Sequence, residues 1–291
     1  MKPESDRRTF LARIGLLGAA VAAGGLLAPA GGRAQTLDDV VAGLRPVLGE
    51  LARDTLNGLV VMTCPGPDAY SKAQGTPRGE PGALEARATD FMITSLDHFV
   101  PFPDQLGAAL AQGLAAGLDG SGVVLPGSLA GLPLGSVRTL DDALTTLLGN
   151  NATLPLSSVV ALLLNLVATQ ANPASVNGLF LSPFARLSFA DKCRAFELLE
   201  GPDPDLLSTL DSKAPAPFTE TLSGVLRFLA GALFEVSAYG SYGEWGVYDA
   251  KAKTITRRPV GWELSGYQPD GVVHGWDEFK GYYQGRKKVA N

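Results

Sequence analysis

The sequence is poor in the residues from which reactive centres are built: it has two cysteines, Cys64 and Cys193, and two histidines, His98 and His274. Two widely spaced imidazoles and two thiols do not assemble a zinc site. No Cys-x-x-Cys-His run attaches haem, and no Gly-x-Ser-x-Gly turn presents a nucleophile. No glycine-rich fingerprint follows a strand, so the chain is not expected to bind a flavin or nicotinamide itself. No catalytic, cofactor-binding or metal-binding residues are therefore expected in this chain. Charged residues are only 18% of the chain, and the balance is acidic, net −5. Nucleic acid and anionic membrane surfaces select basic faces, which excludes them as partners. The longest apolar run, Leu156 to Gln170, is about 15 residues and contains Asn165, too short and too polar for a membrane span. No fixed-period repeat is present.

What the chain does have begins with Ser5-Asp6-Arg7-Arg8-Thr9-Phe10-Leu11-Ala12. The pair Arg7-Arg8, followed by a spacer and then Phe10 and Leu11, is the pattern of a twin-arginine signal. A Gly/Ala/Leu-rich stretch from Ile14 to Pro29 follows, with small residues suited to cleavage. Residues 1–34 are read as the signal, cut after Ala34 or alternatively after Ala30. Such cargo crosses the twin-arginine translocase already folded, so the expected location is periplasmic or extracytoplasmic. Removing that leader takes away five basic and two acidic side chains, which moves the net charge from −5 to −8. In an oxidising compartment Cys64 and Cys193 form either one disulfide or two separate buried thiols, because spacing alone does not fix their separation.

The expected fold is mainly α: an irregular helical domain, residues 35–238, closed by a loop-rich, aromatic, Gly-rich cap, residues 239–291, of the same domain. Apolar positions from Val40 to Leu51 recur at helical steps, with Asp38 and Asp39 at the start and a bend at Pro46. That helix is expected to give way at Leu59 to Met62, and a Pro/Gly loop to continue to about Pro81. Further helices are expected over Glu85 to Phe99, Leu106 to Leu118, Leu140 to Leu148 with Thr139 as cap, Leu156 to Gln170, Ser188 to Glu200 and about Glu220 to Ser237. In the Ser188 helix, Phe189, Cys193, Phe196 and Leu199 are read as the core stripe.

The cap holds all three tryptophans and six of the seven tyrosines. Tyr239, Trp245, Trp262, Tyr267 and Trp276 are the candidate contact residues, since Trp and Tyr combine large apolar area with a polar tip. The alternatives are a local mini-core and a sugar-stacking platform. His98 reads as a packing or capping residue. A stand-alone enzyme would need His274 with Asp277 or Glu278 as its acid/base pair.

The segment Pro65-Gly66-Pro67-Asp68 with Ala73-Gln74-Gly75, and the closing pattern Tyr239-Gly240-Ser241-Tyr242-Gly243, Gly261-Trp262 and Gly266-Tyr267, resemble the gluconate 2-dehydrogenase subunit 3 family. The resemblance covers the two ends of the chain, with Gln268 intervening before Pro269. It implies a non-catalytic small subunit that carries the export signal for a large flavoprotein oxidoreductase of the glucose-methanol-choline type, with FAD in that partner. The alternative is an independent periplasmic helical protein binding a small apolar or sugar ligand.

Overall fold

Apolar residues at three- and four-residue steps leave the first stretch one economical way to hide its side chains, as a helix turned against other helices. The computed structural model describes residues 37–99, 155–201 and 222–267. The signal, the helices expected at Leu106 to Leu118 and Leu140 to Leu148, and His274, Trp276, Asp277 and Glu278 lie outside the described residues. Within them the chain is mainly helical. In order the helices are α1 Leu37–Thr63, α2 Ala69–Ala73, α3 Ala88–His98, α4 Leu156–Ala171, α5 Phe189–Glu200, α6 Leu222–Tyr242 and α7 Val260–Ser265. Strands β1 Tyr248–Asp249 and β2 Thr254–Ile255 pair antiparallel, Tyr248 opposite Ile255.

Helix α1 is central, packing against α2, α3, α4, α6 and a 3-10 turn at Phe184–Arg186. It continues through Pro46 and through Leu59 to Met62, where the sequence pattern suggested its exit. Leu59, Val60 and Val61 are all fully buried. Packing on several sides outweighs the modest helix propensity of the valines. The following loop is broken by α2, whose cap Asp68 accepts hydrogen bonds from the Ser71 amide at 2.8 Å and hydroxyl at 2.7 Å. Helix α3 begins at Ala88 and not at Glu85, because Arg87 holds a left-handed φ of 61° that a helix does not continue.

Two boundaries move for tertiary reasons. Helix α6 runs to Tyr242, past the expected stop at Ser237, since Gly240 seats on Ala88 and Phe91 of α3 and Ser237 bonds Thr63 of α1 at 2.6 Å. In α5, capped by Ser188, the buried face is Lys192, Ala195, Phe196 and Leu199, while Phe189 is exposed. The expected stripe therefore has the wrong phase at its first turn, where Phe189 projects to solvent and Lys192 turns inward. The fully buried Lys192 Nζ donates to Gly58 O at 2.7 Å and Gln74 Oε1 at 2.8 Å.

Lys192 belongs to a buried polar lattice. Asp54 accepts from the Tyr70 hydroxyl at 2.6 Å and the Ser182 amide at 2.7 Å. Asn165, fully buried in α4, accepts from the Ser182 hydroxyl at 2.6 Å and the Phe184 amide at 3.1 Å, and donates to Thr55 Oγ1 at 3.2 Å. Thr89 of α3 donates to Asn57 at 2.7 Å. Arg186 clamps the loop before it through the carbonyls of Ser175, Phe180 and Leu181. A buried polar side chain is tolerated only when so satisfied.

Asn165→Ala strips partners from Ser182 and Phe184 together and should lower stability by about 3 kcal/mol in urea unfolding. Burial lowers the Lys192 amine to about 7, partly offset by the charge of Asp68. The folded state then binds fewer protons than the unfolded one, whose lysine titrates near ~10.4, so stability rises with pH through this window. Burial raises Cys64 and Tyr70, which oppose the trend at higher pH. From pH 7 to about 8.5 the Lys192 contribution should be about 2 kcal/mol, and Lys192→Met should flatten that slope.

Candidate functional site

The end of α6 and the segment after it gather the exposed aromatics. Gly243 closes the helix by donating to Tyr239 O at 2.9 Å, and a 3-10 turn, Trp245–Val247, leads into β1. Two glycines set how tightly this segment folds back. A Cβ on Gly246 would collide with the Ala86 carbonyl, and one on Gly261 with the Tyr242 carbonyl, so no larger residue permits these approaches. Arg257 secures the segment to Glu85 O at 2.9 Å.

Trp245 meets Phe91 edge-on at 5.7 Å, with the Arg87 guanidinium 5.8 Å from its ring centre. Trp262 donates its indole N–H to Glu244 Oε1 at 2.8 Å and meets Tyr267 edge-on at 5.2 Å. Arg258 fixes that pair through the Tyr267 carbonyl at 2.6 Å and the Trp262 carbonyl at 3.3 Å. Glu244, Trp245, Tyr248, Lys253, Thr254, Ile255 and Trp262 line an open groove of about 530 Å³.

Beside it runs the outer face of α6. Phe228, Glu235, Tyr239 and Tyr242 follow one another at steps of seven, four and three, which places them on one side of a helix. Phe228 is 74% exposed, Tyr239 70% and Tyr242 49%. Gly224 and Gly231 open gaps on the same helix, where a Cβ would meet nothing within 4 Å.

Of the sequence candidates, Tyr239, Trp245 and Tyr267 are exposed and Trp262 is half-buried. Trp245 and Trp262 share the groove, Trp262 and Tyr267 touch, and Tyr239 stands apart on α6. Trp276 lies outside the described residues. The sequence reading missed Phe228, whose signal was its helical phase with Tyr239, and missed Glu244 and Lys253, which only the fold brings beside Trp245 and Trp262. His98 is exposed in the last turn of α3, where a basic group suits the helix dipole. Its neighbour Asp97 caps α4 through the Ser157 amide at 2.8 Å and hydroxyl at 2.9 Å.

Cys64 and Cys193 are separate free thiols, which corrects the disulfide alternative. Cys64, just after α1, lies in the buried core beside the Tyr242 hydroxyl, whereas Cys193 is half-buried on α5. Burial pushes the Cys64 thiol up, against weaker lowering by Tyr242 and Arg78. The Tyr242 hydroxyl is raised by its own burial and then by Cys64. Among the described residues no helix is long and apolar enough to cross a membrane, and no group of three or more His, Cys, Asp and Glu side chains is placed to hold a metal ion.

Comparison with family models, with curated proteins and with solved structures found no match to this chain. The resemblance to the gluconate 2-dehydrogenase subunit 3 family therefore rests on the sequence motifs alone.

A thiol reagent such as Ellman's should label Cys193 in the native protein and Cys64 only on unfolding, because the buried, raised thiol offers little thiolate. Failure to titrate two thiols after unfolding without reductant would instead reveal the disulfide.

Proposed function

We propose that this chain is the non-catalytic small subunit and export escort of a periplasmic flavin-dependent oxidoreductase. In this reading Arg7 and Arg8 engage the twin-arginine translocase, and a large flavoprotein subunit holds the FAD and performs the chemistry. The observation that carries the proposal is the outer face of α6, where Phe228 and Tyr239 are presented to solvent along one stripe, with Tyr242 half-exposed at its end and its hydroxyl turned to Cys64. A helix facing water is ordinarily lined with polar groups. Large aromatics exposed along one helix face are instead a mark of protein contact surfaces. Glu235 lies within this stripe, between Phe228 and Tyr239, so the partner must offer it a cationic or hydrogen-bonding group. Arg227 is turned away from the stripe and donates to the Glu200 carbonyl at 3.1 Å.

The gaps at Gly224 and Gly231 give the partner's side chains room between the aromatic knobs. The contact continues around the end of α6 toward Tyr267, which is 48% exposed. The acidic balance of the chain and its signal motif are consistent with a soluble, exported complex.

The test is purification of the tagged chain from periplasmic and membrane fractions, with a flavin absorption spectrum and mass spectrometry of whatever co-elutes. A large flavoprotein should co-elute, and lysines in place of Arg7 and Arg8 should strand both proteins in the cytoplasm. Phe228→Glu with Tyr239→Glu should weaken the complex at least about tenfold while leaving the thermal unfolding of the small subunit unchanged. A colourless chain eluting alone, with no other protein's export affected, would overturn the proposal.

A further inference from the structure

We infer that the groove between the β1–β2 hairpin and α7 is a binding site for a neutral polyhydroxylated ring, of the pyranose sugar class. The groove, about 530 Å³, is open to solvent, so a ring seated there would cover the aromatic surface with one face and keep the other in water. Trp245, Tyr248 and Trp262 supply aromatic surface, and Glu244, Lys253 and Thr254 supply polar groups. The Trp262 indole N–H holds one carboxylate oxygen of Glu244 at 2.8 Å, which fixes the side chain and leaves the second oxygen to accept other bonds.

Among the described residues, the ion pairs are Arg53–Asp90 and Arg87–Asp90. Glu244 and Lys253 thus bring opposite charges to one groove without pairing there. A cationic ligand would meet Lys253, and an anionic one would meet Glu244. A neutral ring with hydroxyls satisfies both, because each hydroxyl donates to the carboxylate or accepts from the ammonium. Its apolar face covers the aromatic rings.

The site is held rigid. Arg258 fixes the Trp262 and Tyr267 carbonyls, and Asp249 Oδ1 closes the hairpin turn by accepting from the Lys251 and Ala252 amides at 2.8 and 3.0 Å. Lys253 itself has a φ of 51°, a left-handed position where a hairpin ordinarily favours Gly or Asn. Strain of this kind gathers at functional positions.

This inference does not depend on the subunit reading, which rests on the outer face of α6. The test uses the purified full chain, without a partner, titrated with methyl β-D-glucopyranoside and with cellobiose by calorimetry and tryptophan fluorescence. Saturable binding is expected, with a Kd of about 1 mM for the single ring. Trp245→Ala and Glu244→Gln should each weaken it at least about tenfold. Lys253→Gly should raise the melting temperature by removing the strain and also weaken binding; a rise without any loss of affinity would assign Lys253 a backbone role only and overturn its part in the site. Binding of choline in place of the sugars, or sugar binding that survives Trp245→Ala, would overturn the inference, as would the absence of saturable binding to either sugar by the correctly folded chain.

Discussion

One turn of α1, Asp54 to Gly58, ties α2, α3, α4 and α5 together. Asp54 takes the Tyr70 hydroxyl of α2 and the Ser182 amide, Thr55 takes the Asn165 amide of α4, Asn57 takes the Thr89 hydroxyl of α3, and Gly58 O takes the Lys192 amine of α5. Apolar burial sets how strongly these helices associate, but it is non-directional and tolerates sliding. The polar bonds are directional, and a register error would leave a buried charge or amide without a partner. Lys192 is the most demanding member, because an amine inside the core is acceptable only where Gly58 and Gln74 present their oxygens.

That lattice reaches the surface through α3 and α6. Fixing α3 against α1 positions Ala88 and Phe91, on which Gly240 of α6 seats, and Phe91 in turn meets Trp245. The close approaches of Gly246 and Gly261 then fold the cap so that Trp245 and Trp262 line one groove. The aromatic residues are therefore neither wholly a mini-core nor wholly a free surface. Trp245 and Trp262 are anchored at one side and open at the other, whereas Phe228 and Tyr239 stand on a helix that is itself well packed. A surface presented on rigid elements loses little conformational entropy on binding, which favours a recognition role.

Much of the helical content was legible from the chain. Leu156 to Gln170 reads as a buried helix and forms one, ended at Asn172-Pro173, where the Asn172 side chain accepts from the Ala174 amide at 3.0 Å. The helix read from Ser188 to Glu200 forms as α5, with Ser188 just outside it as the cap. The errors have a common cause. The run Leu59 to Met62, the first turn of α5 and the extension of α6 past Ser237 depend on what lies opposite them in space, and local pattern contains no record of that. Lys192 was invisible for the same reason: a lysine in an amphipathic helix is ordinarily solvated, and only the acceptors of two other elements make burial affordable.

By itself the sequence determined the helical class, the extents of α4 and α5, and the concentration of Trp and Tyr near the C-terminal end, but not the short helices α2 and α7. Each of these follows from interactions between neighbours along the chain, where side-chain period, caps and prolines act locally. Only the tertiary structure decided that Cys64 and Cys193 stay apart, that Lys192 is a core residue and that Glu244, Lys253 and two tryptophans share one groove. Those facts depend on contacts between residues far apart in sequence, which local side-chain period, caps and prolines do not encode.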